Sequence, residues 1–343
     1  MKICSFNING IQSFVKLLDG KTFNEWLLEM DCDICCLQEI KGSRENLSQF
    51  FTLKDFCTFA TFHRQPGRHG VATFVRKNGH CSESYEVLQG RILRTKHNST
   101  YLYNCYMPFC SVDDCPVEII SEYHKLNEDL KQNESRNVMI VGDLNATYNM
   151  IDNYLYQKEY EKLHYVAEWS NDIKYESEIE NIEQRNKILE KEKIQVIMEH
   201  SKNGKYTEKI KPRRNELPIY YFSVSELYRA FMNKKQRKWL KNMLLDGFVD
   251  TFREKNKDIE QYTCWDQVLK NRSVNLGVRI DYILIRCKDA YKIIRAEIRK
   301  DVYGSDHCPV TLEVEIDEPK STERNLLKKK NNILGFIKKK KYS

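Results

Sequence analysis

Residues 137–145 read NVMIVGDLN: four apolar side chains from Val138 to Val141, a glycine, and then Asp143 and Asn145 around Leu144. A short β-branched run bounded by turn residues predicts a strand. One that ends in a carboxylate and a carboxamide holds those groups on a rigid support. The same pattern recurs outward in both directions. Upstream lie KICSFNI (2–8), ICCLQE (34–39), GVATFVR (70–76) and TYLYNCYM (100–107); downstream lie RIDYILIR (279–286) and PVTLEVEI (309–316). Their nearly uniform apolarity predicts burial on both faces. Helical patterns at Phe23 to Met30 and Val117 to Leu130 fall between them, which argues for a layered α/β architecture.

The chain has 343 residues, 41 % of them hydrophobic, enough for a large core. Its 12 cysteines are dispersed, and several, such as Cys35 and Cys36, lie inside apolar runs, so they read as reduced thiols of an intracellular protein. Cys32 and Cys35 form a CxxC with no second pair at zinc spacing, and small core hydrophobes is the better reading. MKICSFNI opens directly on a strand pattern, without a basic leader, and no apolar stretch approaches the roughly 18 residues of a membrane span. A soluble protein with no membrane partner is expected.

Charge is unevenly placed. Between Lys320 and Ser343 nine basic residues face only Glu323, so this tail carries +8 and residues 1–319 sum to −1 within a total of +7. A polyanion bound by the body must therefore meet a local patch and a metal, not a general basic field. From about 153 to 235 the sequence is rich in Glu, Lys, Asn and Tyr. Ile179, Ile182, Leu189 and Val196 fall near heptad seam positions that Asn186 and Lys193 interrupt, which predicts a charged, helical or partly disordered insertion. The expected organisation is a catalytic domain over 1–319 and a basic flexible tail over 320–343.

Four strand ends carry polar chemistry: Asn7 and Asn9, Glu39, Asp143 with Asn145, and Asp306 with His307 in GSDHCPV. Singly, each reads as a turn residue or a structural histidine. Together they suit phosphodiester hydrolysis. A hard cation such as Mg²⁺ takes oxygen ligands, often one or two carboxylates, for which Glu39 and Asp306 are candidates. Asp143 is placed to orient and deprotonate a water. His307, kept protonated by a carboxylate, suits the charge developing on phosphoryl oxygens.

KICSFNINGI, DICCLQEIK, GVATFVR, YNCYMP, IVGDLNATYNMID, RIDYILI and GSDHCPV, in this order from Met1 to Val314, resemble the signature blocks of the exonuclease III and apurinic/apyrimidinic (AP) endonuclease family. The wider endonuclease/exonuclease/phosphatase superfamily shares the acidic and SDH elements. The resemblance implies a four-layered α/β sandwich, two central mixed β-sheets flanked by helices. It implies Glu39 as main metal ligand with Asn7, Asn9 and Asp306 around the metal, which is Mg²⁺ with Mn²⁺ as a substitute. Asp143 then activates water, Asn145 positions it, and Asp281 orients His307 against the phosphate. Tyr106 stands at the phosphate-side tyrosine; as a bare residue it reads equally as a packed strand tyrosine.

QYTCWDQVLKNRSVNLGVRIDY (261–282) resembles the AP endonuclease 2 branch of eukaryotes. This implies a nuclear DNA-repair enzyme acting on double-stranded DNA at abasic sites or 3′ ends, as AP endonuclease and as 3′–5′ exonuclease or 3′-phosphodiesterase. Where the main branch has an aromatic pocket for the flipped sugar, the matching positions are Cys264, Val278 and Ile280, with Trp265 beside them as a DNA-stacking or core residue. Such a wall favours 3′-end processing over strong AP-site cleavage. KNNILGFI (330–337) resembles a degenerate sliding-clamp-binding motif anchored by Ile333 and Phe336, and the lysines around it equally suit nuclear import. A monomer is expected, ending before the zinc-binding module of longer members. Another phosphoesterase, on RNA or inositol phosphates, and an inactive DNA- or clamp-binding scaffold are the alternatives.

Overall fold

The computed structural model describes residues 1–79, 81–110, 116–134, 137–161, 163, 224–267, 271–287 and 289–316. It separates into two compact units, Met1–Tyr148 with Lys234–Ser343, and Asn149–Asn233. The first unit carries both sheets.

One sheet has the order β13-β14-β1-β2-β4-β3. Its strands are β1 (Lys2–Asn7), β2 (Ile34–Gln38), β3 (Phe56–Phe62), β4 (Gly70–Arg76), β13 (Tyr291–Ile298) and β14 (Val310–Ile316). The other has the order β5-β6-β7-β8-β12-β9. It comprises β5 (Glu83–Leu88), β6 (Ile92–His97), β7 (Thr100–Tyr106), β8 (Asn137–Asp143), β9 (Val249–Asp250) and β12 (Asp281–Arg286). β10 (Cys264–Trp265) and β11 (Gly277–Val278) form a two-stranded ribbon.

Both large sheets are mixed. β1 runs parallel to β2, and β7 runs parallel to β8, while β14, β4, β6 and β12 join these pairs antiparallel. A parallel pair needs a crossover, supplied by α1 (Ile11–Val15) with α2 (Phe23–Glu29) in one sheet and α3 (Val117–Gln132) in the other. Phe14, Phe23 and Trp26 pack against Phe6 and Phe74 on the outer face of the first sheet. Tyr123, Leu126 and Leu130 of α3, with Trp239 and Leu240 of the helix Lys235–Leu245, join Tyr103, Ile140 and Leu284 in the core of the second. These helix-covered sheets are the layered α/β architecture that the strand pattern predicts, arranged as the four-layered sandwich that the resemblance implies.

Between the sheets runs a buried polar network. Asn104 Nδ2 on β7 donates to the Ala72 carbonyl at 3.0 Å and to Thr73 Oγ1 at 3.2 Å, and its Oδ1 accepts from Gln38 Nε2 at 2.8 Å. It fastens one sheet to the other just below the strand ends that carry the site. Burial on both faces holds for β2, β4, β7 and β8 and fails at β14, where buried and half-buried residues alternate. β5 is largely exposed and β13 alternates, because an edge strand has water on one side.

In the second unit, the helix Val224–Met232 buries Leu227 and Phe231, and Phe231 meets Tyr156 edge-on at 4.9 Å. Most of the 153–235 insertion, the 320–343 tail and the clamp anchors Ile333 and Phe336 lie outside the described residues.

Candidate active site

Strand direction assembles the site. Because β1, β2, β7 and β8 point the same way within their parallel pairs, Asn7, Gln38, Tyr106 and Asp143 are the residues that end them. The antiparallel partner β12 begins at the same edge, with Asp281 in register opposite Asp143. His307 enters just before β14 and makes a bridge with Cys264.

Glu39, Asn9 and Asn145 follow their strands with φ of 51°, 50° and 46°. Asparagine tolerates the left-handed region; glutamate there is strained and needs its surroundings to hold it. The Glu39 carbonyl accepts Gly10 N–H at 2.8 Å, and the side chain is fixed at both oxygens. Asn7 Nδ2 donates to Oε1 at 2.9 Å and Lys41 Nζ lies 2.8 Å from Oε2.

Asn7 is the hub. Its Nδ2 also donates to Asp143 Oδ2 at 2.9 Å and lies 3.5 Å from His307 Nε2. Its Oδ1 accepts from Asn9 N–H at 3.2 Å. Asn9 Nδ2 donates to Asp306 Oδ1 at 2.8 Å, and Lys41 donates to Asn9 Oδ1. Asn7 thus stands as a donor linking two carboxylates, within the group of residues that the sequence reading places around a metal. Asn145 N–H closes on Asp143 Oδ1 at 2.9 Å while its side-chain amide donates to the Met107 carbonyl at 2.8 Å.

His307 Nδ1 lies 2.8 Å from Asp281 Oδ2, and Nε2 lies 3.9 Å from Asp143 Oδ2. Burial opposes a charge on this imidazole, but Asp281 and Cys264 outweigh it and raise its pKa well above the usual histidine range. Burial, then the Asp281 charge, pushes Asp143 up to about 7 despite His307. For Glu39 the outcome differs: burial, again the largest influence, pushes its carboxyl up, yet Lys41 and Asn7 together bring it below the usual range. Burial and the charges of Glu39 and Asp143 push the Tyr106 hydroxyl far up, so it stays protonated as a donor.

Ligand atoms of Asp143, Asp281 and His307 lie within 4.8 Å of one another, a spacing compatible with a metal. An imidazole already engaged by Asp281 and raised in pKa is a poor metal ligand, because coordination needs its neutral form. The harder oxygen donors, Glu39 with Asp306 and the amides of Asn7 and Asn9, are the set a hard cation prefers.

The Cys264, Val278 and Ile280 side chains are half-buried, Cys264 and Val278 facing each other across the β10–β11 ribbon. Trp265 is only 3 % exposed, and Arg272 covers its ring at 4.8 Å. Of its two sequence readings, DNA-stacking or core, the structure takes the core one. Several contributors carried no role in the sequence reading. Ser305 Oγ donates to the Asn7 carbonyl at 2.7 Å, and Thr263 Oγ1 accepts from the Asp281 N–H at 3.2 Å. Lys41, two residues after Glu39, and Ser305, beside Asp306, were visible as neighbours. Nothing local to Thr263 or Arg272 signals their placement.

The profile described as the Endonuclease/Exonuclease/phosphatase family matches residues 4–307. The chain belongs to this family. Among curated relatives it is 25 % identical over 333 residues to Recombination repair protein 1 of Drosophila melanogaster, covering 91 % of this chain and 37 % of that protein. It is 24 % identical over 325 residues to Exodeoxyribonuclease of Bacillus subtilis, covering 92 % of this chain and all of that one. The chain therefore spans little more than a third of the first relative and the whole of the second. Among solved structures, the Xenopus laevis APE2 catalytic domain superposes with a TM-score of 0.62 at 21 % identity, covering 94 % of each chain. The four-layered fold is thus common to this chain and that domain.

Proposed function

We propose that this chain is a DNA-repair phosphodiesterase of the AP endonuclease 2 type, using Mg²⁺ or Mn²⁺ to hydrolyse DNA phosphodiester bonds at 3′ ends and at abasic sites. One observation carries it: Glu39, Asp143 and His307, from three distant stretches, meet around a single amide, Asn7 Nδ2, which lies 2.9, 2.9 and 3.5 Å from them. The curated relatives named for exodeoxyribonuclease and repair activity support the DNA substrate.

Glu39 and Asp306 would hold the cation, with the Asn9 oxygen exchanging its Lys41 partner to join them. When bound it would supply Lewis-acid polarisation of a phosphoryl oxygen and offset the charge of the leaving group. Asp143, with a pKa near neutrality, accepts the proton of the attacking water, and the Asn145 N–H fixes which carboxylate oxygen faces it. His307, charged and braced by Asp281, stabilises negative charge on the phosphoryl oxygens. The Tyr106 hydroxyl donates on the same side, its ring seated between Arg91 at 5.3 Å and His69 at 5.4 Å.

The half-buried, non-aromatic wall of Cys264, Val278 and Ile280 favours 3′-end processing over abasic-site incision, since a flipped sugar must recover its unstacking cost in the pocket. The basic tail fits a sliding clamp through Ile333 and Phe336, a nuclear location, and a monomeric enzyme.

The test is one purified sample offered three duplexes: an internal abasic site, a recessed 3′ end and a blocked 3′ end, with and without Mg²⁺. Metal-dependent cleavage fastest at the 3′ ends, abolished in Glu39→Ala and His307→Ala that still fold, is expected. Full activity in either variant would overturn the assignment.

A further inference from the structure

Behind His307 lies a column of three side chains. The buried Trp265 ring is covered by the Arg272 guanidinium at 4.8 Å, and the same guanidinium lies over the ring of Tyr303 at 4.3 Å. Arg272 is not free to serve a phosphate. Its Nη2 donates to the carbonyls of Val302 at 2.6 Å and Lys300 at 2.9 Å, and its Nη1 to that of His307 at 3.4 Å. The same guanidinium therefore ties the catalytic histidine's backbone to the turn that carries Tyr303.

That turn is itself fixed. Gly304 has φ 109°, and a Cβ there would fall 2.8 Å from the Phe14 ring, so only glycine lets the chain pass. Tyr303 is nonetheless 70 % exposed, and Leu17, 64 % exposed, lies against the same turn. A solitary surface tyrosine is ordinary. A ring pinned by cation–π contact on a rigid turn, four residues before the catalytic imidazole, is a preorganised stacking platform.

We propose that Tyr303, the solvent end of the Trp265–Arg272–Tyr303 column, stacks on a nucleobase beside the scissile phosphate and sets the register of the DNA strand. This rests on the reading of the chain as a DNA phosphodiesterase. Arg272 and Trp265 are positioning residues in this scheme, holding the platform at a fixed distance from His307.

The experiment uses the full chain and a recessed-3′ duplex carrying 2-aminopurine next to the scissile phosphate. Binding is followed by fluorescence in chelator, and cleavage by steady-state kinetics in Mg²⁺. Base–aromatic stacking predicts that Tyr303→Ala weakens Kd and raises KM by about fivefold or more, with a smaller effect on kcat, and loses the stacking-induced fluorescence change. Tyr303→Trp and Tyr303→Phe should restore all three. Unaltered thermal unfolding of Tyr303→Ala separates this from misfolding. Wild-type Kd and fluorescence in Tyr303→Ala would overturn the platform whatever the kinetics, as would a wild type that binds no duplex. A wild type that cleaves no DNA, yet whose fluorescence change depends on Tyr303, would overturn the enzymatic reading and leave the platform standing.

Discussion

His307 Nδ1 and Asp281 Oδ2 lie 2.8 Å apart, both side chains almost fully buried, with Asp281 held opposite Asp143 by strand register. The contact fixes which ring nitrogen faces the phosphate side and keeps a charge in a place where burial alone would remove it. Replacing Asp281 with Asn preserves shape and removes the charge. Turnover should fall by about a hundredfold or more. The imidazole resonances of His307, whose pKa Asp281 raises above the usual histidine range, should titrate at lower pH in Asp281→Asn. An unshifted titration by NMR would mean that Asp281 does not govern the histidine.

Asp143 and His307 together predict how stability depends on pH when no divalent cation is bound. The Asp143 carboxyl is raised to about 7 by burial and Asp281, so the folded chain holds a proton that the unfolded chain releases at lower pH. The His307 shift is also upward, so its contribution is complete below the unfolded histidine pKa and is lost as pH rises through the folded one. Both make folding take up protons, and stability falls as pH rises. Thermal unfolding in chelator should therefore drop steadily from pH 5 to pH 8. Asp143→Asn, inactive as an enzyme, should flatten the portion between pH 5 and pH 7 and melt above the wild type at pH 7.5. A wild type that is more stable at pH 8 than at pH 5 would contradict both assignments.

The central strands were legible because burial on both faces leaves an unbroken apolar run, and the site because each such run ends in a hard polar group. Glu39, Asp143 and His307 could be named from those ends alone. Contacts made through folding could not. The bridge from the Asn7 amide nitrogen to two carboxylates exists because β1 lies across from β8 in the other sheet. Trp265 could be read as a DNA contact or as core, and what decides for core is Arg272, seven positions later, which covers it. Neither partner is encoded by local spacing.

Asn104 in the layer between the sheets supplies a stability prediction. Its amide serves Ala72, Thr73 and Gln38 where water does not reach, so truncation leaves several polar groups without partners. Asn104→Ala should lower the unfolding free energy by about 1–3 kcal/mol. Urea denaturation measures this directly. Because the network lies below the catalytic edge, residual folded enzyme should keep the substrate preference of the wild type.

Lys41 decides how readily a divalent cation enters. Its ammonium lies 2.8 Å from Glu39 Oε2 and also donates to Asn9 Oδ1, so it occupies two oxygens that a cation would use. Two positive charges within this distance repel, and the side chain, about one-third exposed, has room to swing away at some cost. Lys41→Gln removes the competing charge and frees the carboxylate. Mn²⁺ affinity, read by calorimetry without substrate, should tighten by about five- to tenfold, consistent with a partly screened charge pair. The metal-free variant should melt lower than the wild type, since Glu39 then lacks its counter-charge in a half-buried setting. Mn²⁺ binding unchanged or weakened in Lys41→Gln would show that the lysine does not compete with the cation for these oxygens.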